Sequence, residues 1–212
     1  MAIYETIQFM FSGISLTIGL YIATAILAFT LGILASVAKT MAGKSALIYD
    51  VYTWFFRGTP LMLQLFFIYF GLPVIGLKFS AFQSALIAFS LNYGAYIAEI
   101  IRGGIESVEK GQYEAAKALG IGPWLTMKSV ILPQAFKRVL PSLCNESITL
   151  IKDTALVAAI GLGDLLRAAK QIVTRDITVV PFVLAALFYL LFTALIVWGF
   201  KRIALKMSYY EL

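Results

Sequence analysis

Five stretches of mainly apolar residues dominate this sequence, and each is long enough to cross a lipid bilayer. They lie near residues 11–37, 60–77, 81–101, 134–160 and 180–200. A membrane-spanning helix needs about 20 such residues, each rising about 1.5 Å along the axis. Only 13% of the residues are charged, well below the roughly 25% typical of a soluble domain. We therefore predict an all-α, polytopic integral membrane protein with five transmembrane helices in one domain over residues 1–212.

The basic residues predict how these helices are oriented. If the N-terminus faces outward, most of the 17 lysines and arginines fall in the inner segments. The outer segments then hold Lys78, Arg167, Lys170 and Arg175. Cytoplasmic loops carry an excess of Lys and Arg, so we predict that the N-terminus lies outside and the C-terminus in the cytoplasm. The net charge of +6 is then a topology signal, and it gives no reason to expect nucleic-acid binding.

Two acidic residues, Glu99 and Asp153, lie within the predicted spans. An ionised carboxylate at the membrane centre costs roughly 2.5 to 3.5 kcal/mol on insertion scales, so it usually serves a cation, a proton or a partner residue. Glu99 shares one helical face with Asn92, Tyr96 and Gly103, because they are spaced by four, three and four residues. The two acids therefore indicate a route through the membrane.

The sequence leaves two interpretations of Glu99 open: it binds part of the substrate, or it pairs with a residue of the protein. Arg102 follows it by three residues, so an ion pair within the helix would satisfy Glu99 without any ligand.

In the fourth predicted span, Glu146 and Thr149 share one face with Asp153, and this face is too polar for contact with lipid.

A polar loop of about residues 104–133 separates the third and fourth predicted spans. It predicts two short helices, the first from Tyr113 to Leu119 with Gly120 as its terminating residue, and the second beginning at Pro123. The loop also carries apolar side chains that it cannot bury by itself, namely Leu119, Ile121, Trp124, Leu125 and Met127. An amphipathic helix of this kind usually docks into a groove of a partner protein.

Several kinds of chemistry are not expected here. The chain has no histidine and one cysteine, so we expect no Cys/His metal site and no histidine base. The segment Ala42-Gly43-Lys44-Ser45 resembles the end of a phosphate-binding loop, but Ala38 stands where that motif needs a glycine. No activated nucleophile accompanies the acids. We therefore expect a chain that is not an enzyme, binds no nucleotide itself and carries no metal or cofactor.

The loop contains an ordered signature: Glu114-Ala115-Ala116, three residues, Gly120, nine residues, Val130, one residue, and Leu132-Pro133. This order resembles the "EAA" signature of bacterial ABC-importer permease subunits, in which isoleucine is more common at the position of Val130. Other segments are similar to the polar amino acid branch of that family, the histidine, arginine, lysine and glutamine type. They are Arg57-Gly58-Thr59-Pro60, Tyr96 to Glu99, Arg102-Gly103-Gly104, Ile131-Leu132-Pro133-Gln134 and Lys152-Asp153-Thr154.

This resemblance implies a transport subunit of the bacterial inner membrane whose loop, a coupling helix, docks into a cytoplasmic ATPase. The expected coupling residues are Glu114, Ala115, Ala116, Gly120 and Pro133. It also implies a complex of two permease chains, expected to be a homodimer, with two ATPases that bind ATP and an external solute-binding protein.

An amino acid cargo has one carboxylate and at least one ammonium group. The expected substrate-binding residues are Asn92, Tyr96, Glu99, Arg102, Asp153 and Thr154. Arg102 would meet the carboxylate, whereas Glu99 and Asp153 would neutralise cationic groups in a cavity of low dielectric constant. Two acids favour a basic amino acid. A neutral polar one such as glutamine stays open, because Glu99 alone can bind the α-ammonium.

Two other function classes compete with this hypothesis. An ion or proton conductor would use Glu99 and Asp153 as a relay and predicts flux without ATP. A scaffold would use its polar residues only to join helices, with hydrogen bonds of about 0.6 kcal/mol each, and predicts that Glu99→Gln and Asp153→Asn leave uptake intact. The unburied apolar side of the loop and the spacing of its signature argue against both.

Overall fold

The structure is a computed structural model that describes residues 3–41 and 45–207, and these residues form nine α-helices and no strand. The helices are α1 (Ile3–Met41), α2 (Ser45–Gly58), α3 (Leu61–Phe66), α4 (Ala81–Glu106), α5 (Lys110–Ala118), α6 (Pro123–Thr126), α7 (Leu132–Asp153), α8 (Leu165–Asp176) and α9 (Val180–Met207). The all-α prediction is confirmed for this part of the chain. Residues 42–44, which contain most of the segment that resembles a phosphate-binding loop, lie outside the described residues.

Three helical stretches are long and apolar enough to cross a membrane: Met10–Lys39, Ala81–Glu106 and Val180–Met207. They correspond to the first, third and fifth predicted spans. A fourth crossing exists if Leu47–Gly58 and Leu61–Ile75, which meet at a bend of 101°, form one broken span. The fourth predicted stretch is helical as well, but α7 carries charges at Lys137, Arg138, Glu146, Lys152 and Asp153. Five transmembrane helices therefore stay a prediction, with three or four supported by length and composition.

Helix α4 forms the centre of the fold, where it packs against α1, α2, α3 and α7. Its side chains Phe89, Tyr93 and Ile97 are buried in the largest apolar cluster, together with residues of α1, α3 and α7. Helices α1 and α4 approach closely at Gly32, where an added Cβ would lie 2.6 Å from Cγ2 of Ile97. Helices α1 and α9 expose many large apolar side chains, as expected for helices whose outer surfaces contact lipid.

The chain breaks sharply between α2 and α3. Pro60 stands at the N-cap position of α3 with an extended backbone. The hydroxyl of the preceding residue, Thr59, donates to the backbone oxygen of Phe55 in α2 at 2.8 Å. The hydroxyl thus satisfies a carbonyl at the end of the preceding helix.

Two π turns each precede a Leu-Pro pair. They are Phe67–Gly71, before Pro73, and Met127–Ile131, before Pro133. A proline ring clashes with the carbonyl four residues earlier in a regular helix, and a wider turn moves that carbonyl away. Because the second π turn joins α6 to α7, the helix is continuous from Pro123 to Asp153. The predicted start of the fourth span near Pro133 therefore lies inside a longer helix.

The segment between the fourth and fifth predicted spans, for which no helix was predicted, contains α8. Asp164 caps this helix by accepting hydrogen bonds from the backbone N–H groups of Leu166, at 2.9 Å, and Arg167, at 3.1 Å. The preceding backbone N–H, of Leu165, donates to the hydroxyl of Thr17 in α1 at 3.2 Å. Burial raises the pKa of Asp164 above its usual value, and the two capping N–H groups oppose this shift. A buried cap therefore fixes α8 against α1.

Candidate functional site

Two adjoining cavities lie where α4, α7 and the break between α2 and α3 meet. Their volumes are about 400 Å³ and about 430 Å³. They share Arg57, Tyr96 and Glu146, and together they are called the acidic cavity here. Asp153 lines the first part and Glu99 lines the second. The three acids of the cavity are Glu99 of α4 and Glu146 and Asp153 of α7. These two helices therefore supply its negative charge.

Glu99 is held by resident cations. Its Oε1 accepts hydrogen bonds from the Tyr49 hydroxyl, at 2.7 Å, and from Nε of Arg102, at 3.2 Å. Its Oε2 accepts from Nη2 of Arg102 at 2.8 Å and lies 3.2 Å from Nη1 of Arg57. Of the two interpretations that the sequence left open, the structure shows the ion pair with Arg102. The negative charge of Glu99 is therefore neutralised by Arg57 and Arg102 where this side chain lines the cavity.

Arg102 is fully engaged by acids of its own helix. Besides its two bonds to Glu99, its Nη1 donates to Oε2 of Glu106 at 2.6 Å. Arg102 lines neither part of the acidic cavity. The structure therefore does not place this predicted substrate-binding residue at the acidic cavity.

Arg57 is the cation that lines both parts of the cavity. It lies in the last turn of α2, and its guanidinium stands over the ring of Tyr96, 5.5 Å from the ring centre. Arg57 was not among the predicted substrate-binding residues. Its site beside Glu99 depends on the bend after Gly58, and no local pattern predicts which helix such a bend will meet.

Asp153 and Glu146 are the acids of the cavity that form no ion pair with a described residue. Asp153 accepts a hydrogen bond from the Tyr93 hydroxyl at 2.7 Å, and both acids line the first part of the cavity with Thr149. Among the residues that the structure describes, no Lys or Arg nitrogen lies within 4.0 Å of either carboxylate. Glu146 was not among the predicted site residues, although its spacing of three and seven residues from Thr149 and Asp153 placed it on their face.

Asn92 and Tyr96 line the cavity, but their donors stabilise the helix break. The Asn92 amide donates to the backbone oxygen of Phe56 at 2.7 Å and to Oε1 of Gln64 at 3.1 Å. The Tyr96 hydroxyl donates to the backbone oxygen of Arg57 at 3.3 Å. Carbonyls freed by a break at membrane depth need such internal donors, because no lipid group can replace them. These side chains therefore give the cavity its shape.

Thr154 is placed outside the acidic cavity. Its side chain is fully buried, and its hydroxyl donates to the backbone oxygen of Ile151 at 2.7 Å. Of the six predicted substrate residues, the structure brings Asn92, Tyr96, Glu99 and Asp153 together at the cavity.

The first part of the ordered signature, Glu114 to Gly120, lies in α5 and in the turn that joins it to α6. The N–H of Ile121 donates to the oxygen of Ala116 at 2.9 Å, and the N–H of Gly120 donates to the oxygen of Lys117 at 3.0 Å. These two bonds form a Schellman motif, which needs a left-handed residue at Gly120, and its φ is +71°. The predicted end of the first loop helix at Gly120 and the start of the second at Pro123 are both confirmed.

The segment of α5 and α6 presents an apolar patch, defined by Leu119, Trp124 and Leu125, whose exposed fractions are 78%, 70% and 53%. Glu114 and Ala115 are exposed as well, whereas Ala116 is buried. The other predicted coupling residue, Pro133, lies apart from this patch. It is half-buried at the start of α7 and lines a groove formed with α1 and α4.

Comparison with known proteins agrees with this architecture. Residues 28–209 match the family described as "Binding-protein-dependent transport system inner membrane component". The chain is 41% identical over 205 residues to the arginine transport system permease protein ArtQ of Bacillus subtilis (strain 168), a match that covers 95% of this chain and 94% of that protein. It is 36% identical over 211 residues to the glutamine transport system permease protein GlnP of Escherichia coli (strain K12), covering 98% and 96%.

A solved structure of an amino acid ABC transporter with histidines superposes with a TM-score of 0.89, at 33% identity and over 97% of both chains. An inward-facing MetNI methionine ABC transporter superposes with a TM-score of 0.78 at 19% identity, which supports the fold alone. The chain therefore belongs to the binding-protein-dependent transport system inner membrane components, as a multi-pass permease of the amino-acid ABC importer type.

Proposed function

We propose that this chain is the membrane subunit of an ATP-driven importer of polar amino acids and that the substrate crosses through the acidic cavity. The observation that carries the proposal is that Glu146 and Asp153 line the cavity without a paired lysine or arginine in the described part of the chain. A carboxylate at membrane depth needs a cation. Arg57 and Arg102 pair with Glu99, so Glu146 and Asp153 are the acids available to bind the cargo.

The positions of these groups suggest how an amino acid is held. Its ammonium group, or a cationic side chain, lies between Glu146 and Asp153. Its α-carboxylate meets Arg57, which has the access that Arg102 lacks and can form two parallel bonds to a carboxylate. Arg57 can turn from Glu99 at low cost, because Glu99 keeps the Tyr49 hydroxyl and Arg102. The substrate thus replaces part of a network of charges that exists before it binds.

A basic amino acid fits this cavity better than a neutral one. Two free carboxylates are available, and a basic amino acid brings two cationic groups, whereas glutamine brings one. Relatives of this chain carry the names of arginine and of glutamine systems, so both substrate classes occur among similar proteins. The charge of Glu146 and Asp153 favours arginine, lysine or histidine here.

The coupling role belongs to the segment of α5 and α6. The apolar patch of Leu119, Trp124 and Leu125 lies beside the exposed Glu114 and Ala115, and a cytoplasmic ATPase would cover it. Gly120 fixes the turn that joins the two helices. Because α6 continues through the π turn and Pro133 into α7, a movement of the docked segment is passed along one helix to Glu146 and Asp153.

The assembly follows from this arrangement. We place the N-terminus outside and the C-terminus in the cytoplasm, with the bent pair and α7 completing five membrane spans. Two copies of this chain join two ATPase subunits, which bind and hydrolyse ATP, and an external solute-binding protein. This chain supplies the pathway and carries no cofactor or metal of its own.

The ion-conductor alternative has less support. It needs Glu99 and Asp153 as the two groups of one relay, yet Glu99 is paired with Arg57 and Arg102. A proton or metal ion at Glu99 would have to displace two guanidinium groups.

The test is substrate-stimulated ATPase activity of the reconstituted transporter, measured with lysine, arginine, histidine, glutamine and glutamate. We expect the basic amino acids to stimulate at the lowest concentrations. Glu146→Gln and Asp153→Asn should each raise the half-maximal concentration of lysine by about tenfold or more, because a hydrogen bond between charged groups is lost. Glu106→Gln, which removes an exposed acid outside the cavity, is the control. A maximum with glutamate, or no effect of either variant, would refute the proposal.

A further inference from the structure

A larger cavity, of about 870 Å³, lies between α8 and the 3₁₀ helix Thr154–Ile160. One wall is cationic and consists of Arg167, Lys170 and Arg175 of α8. The opposite wall consists of small or apolar side chains, such as Ala155 and Leu156. In contrast to the acidic cavity, no Asp or Glu is among its described lining residues. It is called the cationic cavity here.

The cationic cavity adjoins the acidic cavity. Met62 lines the former and Leu61 the latter, and these are consecutive residues of α3. Ala155 likewise follows Asp153 by two residues. The two cavities thus border neighbouring residues of α3 and of the junction between α7 and the 3₁₀ helix. In the orientation proposed above, the cationic cavity lies on the outer side.

The cationic wall is only partly neutralised within the described residues, where the positive charge of Arg167 stabilises the carboxylate of Asp164. Nη1 of Arg167 is buried and has no hydrogen-bond partner there. The guanidinium is held against Gly161, where an added Cβ would lie 3.0 Å from that nitrogen. Lys170 is exposed and makes no ion pair with a described acid, whereas Arg175 pairs with Asp176 at 2.7 Å. A buried donor of this kind in a native structure calls for an acceptor.

We infer that the cationic cavity is an outer subsite for the carboxylate of an amino acid, held by Arg167 and Lys170 before the cargo reaches Glu146 and Asp153. This inference rests on the proposed function. A carboxylate matches the planar guanidinium of Arg167, and the small apolar side chains of the opposite wall leave room for the rest of the molecule. The subsite selects molecules that have a carboxylate.

The subsite would also keep other cations out. The carboxylates of the acidic cavity also attract inorganic cations and polyamines. A positive wall in front of it raises the energy of any cation that brings no negative group, as charged constrictions do in channels. An amino acid passes because its carboxylate is attracted to the wall while its cationic end points onward.

The test measures the charge and the ligand of the cavity directly. In a Cys144→Ala background, which removes the single native cysteine, Thr174→Cys places a thiol on the cavity wall. The transporter, assembled with its ATPase in lipid nanodiscs, is treated with anionic sulfonatoethyl or cationic trimethylammonioethyl methanethiosulfonate. Modification of this chain is followed by mass spectrometry, and each rate is divided by that of the neutral methyl reagent.

We expect the anionic reagent to react about tenfold faster than the cationic one, since a cavity lined by one sign of charge concentrates its counter-ions. Arg167→Gln combined with Lys170→Gln should bring the ratio close to one. Lys128→Gln, which removes a cation near the start of α7, should not change it. Lysine and glutamine should slow the modification, whereas cadaverine, which is lysine without its carboxylate, should not.

Equal protection by lysine and cadaverine, or protection by neither, would overturn the inference. Protection by the solute-binding protein but not by free amino acids would also overturn it, because the wall would then be a docking face for that protein. Failure of the proposed function is seen separately. The reactivity ratio at position 174 does not depend on Glu146 or Asp153, so the ratio can persist even when those variants leave transport unchanged.

Discussion

At the scale of single residues, the two acids Glu99 and Asp153 are stabilised in different ways. Glu99 is paired with two arginines of the protein. Arg102 lies three residues away on the same helix, and Arg57 belongs to α2. Asp153 is stabilised only by the Tyr93 hydroxyl among described partners. A neutralised acid gives the protein stability, whereas an acid without a counter-ion gives it affinity for a cation.

Replacing Glu99 should therefore affect stability more than selectivity. Glu99→Gln leaves Arg57 without its acid and removes both charge-assisted bonds from Arg102 to Glu99. We expect the free energy of unfolding to fall by about 1 to 3 kcal/mol, since the partners are left unsatisfied. The lysine dependence of ATPase activity should change less than it does in Glu146→Gln. Thermal unfolding of the purified transporter measures the first effect.

Glu106→Gln is the matched control for Glu99→Gln. Glu106 also pairs with Arg102, at 2.6 Å, but 62% of its side chain is exposed. An exposed ion pair contributes about 1 kcal/mol or less, so this variant should unfold near the temperature of the parent. If both variants lowered the unfolding temperature equally, the central role given to Glu99 would be wrong.

The sequence reveals part of this residue network. The spacing of three between Glu99 and Arg102 is a local fact, and it already allowed the ion pair. The partnership of Arg57 with Glu99, by contrast, joins residues 42 positions apart, and it exists because the chain turns by 101° after α2. Spacing along one helix cannot predict which second helix comes near. For the same reason Arg102 was expected to bind a carboxylate, and Arg57 was not.

At the scale of helices, composition predicted the long apolar helices well and the mixed ones poorly. Helices α1, α4 and α9 are long and apolar, so their composition alone was enough to predict them. Helix α8 was not predicted, because its several charged residues make it unlike a membrane-spanning stretch. Its signal was nevertheless present in the spacing of Leu165, Ala168, Ala169 and Ile172, all of which are buried, and in Asp164 as the preceding cap. The helical period at these positions was a better guide than the number of charges.

Close packing of α4 against α7 depends on one of two consecutive glycines. A Cβ on Gly104 would overlap Cγ1 of Val139 and lie 3.2 Å from the backbone oxygen of Ala135, whereas a Cβ on Gly103 would meet nothing within 4 Å. Gly104→Ala must push the helices apart, which costs about 1 to 3 kcal/mol in packed cores. We expect a lower unfolding temperature and a lower yield of folded transporter.

Gly103→Ala is the control, since alanine favours a helix over glycine by up to about 1 kcal/mol. It should be neutral or slightly stabilising in the same unfolding experiment. Equal loss of stability in both variants would mean that the helix itself, and not its contact with α7, requires glycine at these positions.

At the scale of the whole molecule, the surfaces divide by chemistry. Helices α1 and α9 present apolar side chains along their length, which suits lipid. The acidic and cationic cavities lie on either side of the residues Leu61–Met62 and Asp153–Ala155. The apolar patch of Leu119, Trp124 and Leu125 differs from both, because it projects from a segment rich in charged residues that no span could place in lipid. A protein partner is the remaining environment that would bury it.

Trp124 should provide most of the affinity for that partner. Tryptophan is enriched among interface residues whose truncation costs 2 kcal/mol or more, and 70% of this side chain is exposed in the isolated chain. We expect Trp124→Ala to weaken binding of the ATPase subunit by about 30-fold or more, with no change in the unfolding temperature of this chain. Titration of the permease in nanodiscs with labelled ATPase measures the affinity.

The control is Trp198→Ala, which removes a tryptophan of α9 with an exposed fraction of 59%. It should leave ATPase binding intact, because we expect that face of α9 to contact lipid. Unchanged affinity in Trp124→Ala would show that the patch docks elsewhere and would remove the physical link between ATP hydrolysis and α7.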